Sequence, residues 1–311
     1  MNVRLLPALF LGCAFFIQPS SARTIIELGS EYEQHFDRTS DGAPYNYERL
    51  NAYTPYFRFS YSPTSNDWNV WGRAFKKIYP NDFLYDNNQV TASTDRLEMH
   101  YTKMIRKGNF RYRPGVGVRY NGYDIDRYEI EYRLYPQADY FFSANSQAFI
   151  SGHWYIGDSK GKRMGDKTAS DYVDWGYEAE FGWLYRFSNL TSIKPHFYTE
   201  YDSYENHFDI DYWQFRLTYT QKIGRITVNP FIRYGLGRDI VDRAHNDPAR
   251  WGLSRDNNYS RAGIYGDIGV SGKWNLVYEF YYQVEEQHST FNDSLPDRDK
   301  YFAKMGVQRI F

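Results

Sequence analysis

The chain is almost without cysteine: Cys13 is the only one in 311 residues. Residues 23–311 therefore hold no disulfide framework and no thiol chemistry. A surplus of one charge is missing as well, since 37 Lys and Arg face 38 Asp and Glu. A nucleic-acid partner calls for a basic excess, so none is expected. Long hydrophobic runs are absent beyond the first 22 residues, and the mean hydropathy is −0.72. No later stretch reaches the ~20 apolar residues of a transmembrane helix. Catalytic motifs are missing too. The histidines, His35, His100, His153, His196, His207, His245 and His288, are scattered without metal-type spacing, and no G-x-S-x-G occurs. "GVGVRYNG" at 115–122 is glycine-rich, but it lies in a strand pattern with no helix after it, which argues against a phosphate loop. The expectation is a non-enzyme with no catalytic residue, no metal and no cofactor.

Aromatic residues are abundant instead: 32 Tyr, 22 Phe and 8 Trp make up 20% of the chain. Disordered chains are poor in aromatics, so disorder does not fit. A polar average with a heavy aromatic load fits strands with one apolar and one wet face. Hydropathy averaging conceals such strands when they cross a membrane.

The start has the layout of a secretory signal peptide. Arg4 precedes an apolar run from Leu5 to Ile17, and Ser20-Ser21-Ala22 supplies a small-residue cleavage site. The run is too short for an anchor. The expected division is a signal peptide at 1–22 and one domain at 23–311.

The body alternates apolar and polar residues with period two. In "DYWQFRLTYTQK", Trp213, Phe215, Leu217 and Tyr219 share one face, and Gln214, Arg216, Thr218 and Thr220 the other. In "DWGYEAEFGWLYRF", Trp175 to Tyr185 oppose Glu178, Glu180 and Arg186 in the same way. Fourteen such segments are expected, near 24–35, 50–61, 68–79, 95–104, 110–121, 127–142, 147–156, 172–187, 193–204, 211–222, 226–237, 258–269, 274–285 and 300–311. Short gaps such as "SPTSND", "SNLTS" and "KIGR" alternate with mostly long ones such as "GDSKGKRMGDKTASD" and "RDIVDRAHNDPARWGLSRDN". That rhythm predicts an all-β, transmembrane up-and-down antiparallel barrel of 14 strands, with short periplasmic turns and long extracellular loops. A secreted soluble β-sandwich is the competing architecture. It would need a second layer to cover the recurring apolar face, and none is visible. Outward Trp68, Trp154, Trp175, Trp183, Trp213 and Trp274 are expected in aromatic girdles at the lipid–water boundaries.

The last segment, "KYFAKMGVQRIF", places Tyr301, Ala303, Met305, Val307 and Phe311 on one face. It resembles the C-terminal signal of bacterial outer-membrane barrels: a terminal aromatic, a hydrophobic residue four before it and Gly five before it. Arg309 departs from that pattern, where an aromatic is usual. The resemblance implies recognition by the barrel-assembly machinery through Phe311, in a Gram-negative outer membrane with lipid and lipopolysaccharide as surroundings.

The series "RLEMHYTKM", "FRYRPGVGVRYNGYDID", "YTQKIGRITVNPFIRYGLGRD" and "YSRAGIYGDIGVSGKWNLVYEFYYQ", followed by "KYFAKMGVQRIF", resembles the OmpG family of monomeric porins over essentially the whole of 23–311. That resemblance implies a monomeric, relatively non-specific diffusion channel for ions and small hydrophilic solutes, including mono- to trisaccharides. Two alternatives stand beside it: a porin preferring acidic oligosaccharides, and a non-conducting adhesin or structural barrel. Geometry favours a pore. Strands about 4.8 Å apart and tilted by about 40° close at a diameter of roughly 27 Å, and inward side chains leave an opening on the order of 10–15 Å.

Parity then nominates lumen-facing residues. The basic ones are Arg58, Arg73, Arg96, Arg111, Arg113, Arg119 and Arg133 on the second to sixth strands, with Arg216, Arg233 and Arg261 further round. The acidic ones are Glu31 and Glu33, then Glu98, Glu129 and Glu131, then Glu178, Glu180, Glu200, Asp202 and Glu279. The expectation is a constriction with basic residues on one arc and acids on much of the other, giving a transverse field. Tyr56, Tyr155, Tyr198 and Tyr281 face inward too, either to stack on sugar rings or to serve as hydrogen-bonded struts. The OmpG resemblance further implies acid closure through a facing histidine pair on neighbouring strands. The corresponding positions fall at Ile226 and Asn257, which do not titrate near neutrality. The loop 238–257, with His245, is the expected lid.

Overall fold

A computed structural model describes residues 22–37, 50–63, 65–80, 83–85, 88–90, 94–123, 127–160, 172–204, 208–242, 254–289 and 297–311. The leader before Ala22, His207, His245 and most of the expected lid lie outside the described residues.

Fourteen long strands form the wall. They are β1 (Arg23–Asp37), β2 (Ala52–Ser62), β3 (Trp68–Lys77), β4 (Thr94–Lys103), β5 (Phe110–Tyr123), β6 (Arg127–Ser143) and β7 (Ser146–Lys160). After them come β8 (Tyr172–Arg186), β9 (Thr191–Tyr204), β10 (Phe208–Ile223), β11 (Ile226–Asp242), β12 (Ser254–Ser271), β13 (Trp274–Ser289) and β14 (Arg298–Ile310). Each pairs antiparallel with its sequence neighbours. The ring closes where β1 meets β14, in register from Ile25 opposite Ile310 to Asp37 opposite Arg298. Closure removes the free sheet edges that would otherwise pair with other chains or leave backbone groups unsatisfied in lipid. Among the described residues no helix is long and apolar enough to cross a membrane. The chain crosses with strands.

Burial runs opposite to that of a soluble protein. Leu28 is 59% exposed and Val116 53%, whereas Glu131 and Arg133 are each 4% exposed. Large apolar side chains cover the outside, and ionised ones fill the inside. Water does not tolerate so continuous an outer apolar face, so lipid is its medium. One closed sheet accounts for every long strand, which removes the sandwich alternative.

The short-turn end is built from tight hairpins. Gly108 (φ 57°) and Gly224 (φ 60°) take the left-handed conformation that tight hairpins favour, in the turns between the strands they join. At the barrel seam the Phe311 backbone N–H donates to the Thr24 carbonyl at 2.9 Å. Arg309 lays its guanidinium over the Trp274 ring at 5.0 Å and over the Phe311 ring at 4.5 Å. The residue that departs from the terminal pattern is thus held among aromatics at the barrel rim, with its charge at the edge of the apolar band.

The segments differ from the expected ones in three ways. Several strands are longer, notably β11 at 226–242 and β12 at 254–271. The hydrogen-bond ladder continues past the apolar band, where alternation no longer marks it. Second, two of the seven long-loop positions are tight: only three residues separate β5 from β6 and β9 from β10. Third, there are three extra short pieces. Ile105–Lys107 continues β4 against β5, and Phe83–Tyr85 pairs with Asn88–Val90 between β3 and β4.

Candidate functional site: the luminal charge network

Register decides which inward side chains meet. Across β1 to β6 one row reads Glu27, Arg58, Arg73, Glu98, Arg119 and Glu131, each directly opposite the next. The charges in this row largely compensate one another. Arg119 contacts Glu98 at 3.2 Å and Glu131 at 3.3 Å, while Arg133 pairs with Glu131. Arg73 donates to Glu31 at 2.7 Å, and Arg58 lies 3.7 Å from Glu27. Arg111 and Arg113 share Asp139 at 2.8 and 3.3 Å, and Arg96 donates to Asn121 at 2.7 Å. Glu33 receives Lys77 at 3.0 Å and Lys300 at 3.8 Å.

The seven arginines of the second to sixth strands outnumber the inward acids there, Glu98, Glu129, Glu131 and Asp139, but several are paired with a carboxylate of these strands or of the first. The expected segregation is softened here: cross-strand register sets acids beside most of these bases, although Arg58 faces Arg73 directly. Opposite charges facing each other across strands stabilise the sheet, and like charges do not.

The remaining wall is more polarised. On β8 and β9, Glu178 lies opposite Glu200, with Asp202 beside them. Tyr155 donates to Asp202 at 2.5 Å, and Tyr198 donates to Glu200 at 2.7 Å. Next round, Arg216, Arg233 and Arg261 stand in register on β10, β11 and β12. Glu180 takes Arg216 at 2.5 Å and also sits 3.7 Å from Lys194 and 3.8 Å from His196. Glu279 lies opposite Lys304 and Tyr265. The acidic arc is thus β8–β9, and a second basic patch, only partly compensated, lies on β10–β12.

Every nominated lumen residue lies on the inner side of the wall, from Glu31 and Glu33 to Arg261 and Glu279. The inward tyrosines act as struts. Tyr56 donates to Glu27 at 2.8 Å, and Tyr281 stacks on Phe302 at 4.5 Å between centroids. All four are under 9% exposed, which leaves no open face for a sugar ring. The outward tryptophans sit at two levels: Trp68, Trp183 and Trp274 at the short-turn end, and Trp175 and Trp213 toward the long loops, with Trp154 below them. Sequence reasoning passed over Glu27, Lys77, Asp139, Lys194, Lys300 and Lys304. Glu27, Lys77, Asp139 and Lys194 share parity with nominated residues of their own strands, and Lys300 and Lys304 lie on the face of β14 opposite Tyr301, Met305 and Val307.

The histidine-pair positions need correction. Ile226 lies opposite Ile268 at the short-turn end, whereas Asn257 lies opposite Gln287 toward the long loops. The two do not face each other. Neither β11 nor β12 contains a histidine, so no facing pair exists on these two strands. Among the described residues, no group of three or more His, Asp and Glu is arranged to hold a metal.

No protein-family model matches the chain, and no curated protein sequence does. Solved structures do. The Pseudomonas putida toluene transporter TodX is 8% identical, with 94% of this chain and 90% of that one covered and a TM-score of 0.50. A TodX deltaS2 mutant, described as a monoaromatic hydrocarbon channel, gives 8% identity over the same shares at a TM-score of 0.53. A Pseudomonas aeruginosa FadL homologue gives 8% identity over 93% and 90% at 0.52. Likeness at this identity is one of architecture. The fold defines the class: a closed antiparallel β-barrel of the outer-membrane type, with a charged lumen.

Proposed function

We propose that this barrel is a monomeric outer-membrane diffusion channel of the OmpG kind, passing ions and small hydrophilic solutes up to about trisaccharide size. The observation that carries the reading is the state of the inner charges. Many lie along the wall in cross-strand pairs, and several keep partial access to the bore: side-chain exposure is 38% for Glu178, 31% for Arg113 and 28% for Arg58. Charges sealed in a dry, plugged interior would have to give up hydration that such pairs do not repay. A bore wide enough for water in a 14-strand barrel meets the requirement. TodX is named for hydrocarbons, but the polar lining here supports hydrophilic cargo instead.

Liposome swelling tests this proposal. Vesicles containing the protein should swell in glucose, a disaccharide and a trisaccharide, with rates falling steeply as size rises. Absence of swelling in any sugar would favour the non-conducting adhesin. An acidic-sugar preference is the second reading, and the basic β10–β12 arc favours it.

A further inference from the structure

Three guanidinium groups on adjacent strands is an arrangement that a sheet avoids, because like charges directly opposite one another destabilise it. Arg216 faces Arg233, and Arg233 faces Arg261. The three are not equivalent. Arg216 is neutralised by Glu180, donates to the Gln214 side-chain oxygen at 2.7 Å and stacks 3.6 Å over the Tyr198 ring. Glu180 is already shared with Lys194 and His196, so it has little left to offer Arg233.

Arg233 makes no ion pair with any described residue; its guanidinium lies 5.1 Å over the Phe231 ring. Arg261 makes none either. It lies 4.7 Å over Tyr281 and 5.1 Å over Tyr259, and its buried Nε has no hydrogen-bond partner among the described residues. An unpartnered donor in such a place costs stability unless something from the bore completes it.

The space in front of Arg233 is open; Arg261 is not part of that lining but stands in register with Arg233 on the next strand. A luminal cavity of about 280 Å³ is bounded by Arg216, Arg233, Tyr265, Glu180, Lys194 and Glu279. That is close to the small end of the range for small-molecule sites. A second cavity of about 450 Å³ also reaches Arg216 and Arg233, so Arg233 stands where the two meet. Tyr265, packed 5.8 Å from Phe231, is 38% exposed, unlike the sealed struts elsewhere in the lumen.

We propose that Arg233 and Arg261 form an anion subsite for sugar-sized solutes carrying a carboxylate or phosphoryl group, with Tyr265 offering its ring to the sugar face. The planar forks of two neighbouring arginines suit either oxyanion, and a bound anion removes the repulsion between them. Glu180 and Glu279 also line the cavity. The subsite deepens the acidic-sugar version of the channel reading and rests on it for its role in transport.

Calorimetric titration of the detergent-solubilised full chain tests the subsite without requiring conduction. Glucuronate, glucose 6-phosphate and glucose are titrated at fixed ionic strength. At least one of the two anions should bind at least about tenfold more tightly than glucose, and Arg233→Gln with Arg261→Gln should cost about tenfold or more for it. The pattern between the two anions identifies the preferred oxyanion. The same anion should raise the unfolding midpoint of the native chain and leave that of the double variant unmoved. Arg233→Lys, which keeps charge but loses the fork, should bind more weakly than native. Equal binding of glucose and both anions, or undiminished anion binding in the double variant, would overturn the subsite. Vesicle swelling is scored separately: a chain that binds glucuronate but passes no sugar would keep the subsite and lose the channel.

Discussion

Replacing Ile232 by arginine is expected to destabilise the barrel by about 2–4 kcal/mol, the cost of an arginine on the lipid face near mid-membrane. Ile232 is 47% exposed on the outside, with Leu217 and Ala262 opposite it on the flanking strands. Its chain neighbour, Arg233, already carries a guanidinium without disturbing the wall. One step along β11 exchanges oil for water, so the same side chain is tolerated at 233 and rejected at 232. Urea unfolding in lipid vesicles reads the effect, and Ile232→Leu should cost less than about 1.5 kcal/mol. A neutral Ile232→Arg would mean that this face is not in contact with lipid.

A second large effect is expected inside. Glu131 is 4% exposed and accepts from Arg119 at 3.3 Å, from Asn121 at 3.1 Å and from Arg133. Glu131→Gln leaves Arg133, itself 4% exposed, without its ion-pair partner. Removal of one member of a buried pair costs about 3 kcal/mol or more, because the remaining charge stays desolvated. Changing Arg133→Gln in the same chain should recover part of that loss. The unfolding midpoint in urea measures both. A loss under about 0.5 kcal/mol for Glu131→Gln would show that bore water screens the pair as it screens a surface ion pair.

Much of this architecture is legible in the sequence because alternation is a local property. Trp213, Phe215, Leu217 and Tyr219 declare their face within seven residues, and so does every nominated lumen residue from Glu31 to Glu279. Strand ends are less legible, since β11 and β12 run past the apolar band on hydrogen bonds alone. Pairing is hidden altogether. Whether Arg119 meets Glu98 and Glu131, or Arg233 meets two arginines, depends on the stagger between strands. No single strand encodes that stagger. For the same reason the arginines of β2 to β6 looked like an unpaired basic arc when counted along the chain, although register brings carboxylates beside several of them. The placement of Ile226 and Asn257 as facing partners failed similarly. Both lie on adjacent strands, but the register sets them near opposite ends.

The account turns on neighbouring residues of one strand seeing different media around a conducting bore. Single-cysteine variants can follow this directly, because residues 23–311 contain no native thiol. Cysteines placed one at a time at 215 through 220 on β10 would be recorded as single channels in planar bilayers while a water-soluble thiol reagent is added. The expected result is stepwise loss of current for Arg216→Cys, Thr218→Cys and Thr220→Cys, and unchanged current for Phe215→Cys, Leu217→Cys and Tyr219→Cys. Channels that never open, or current loss without that two-residue rhythm, would contradict it.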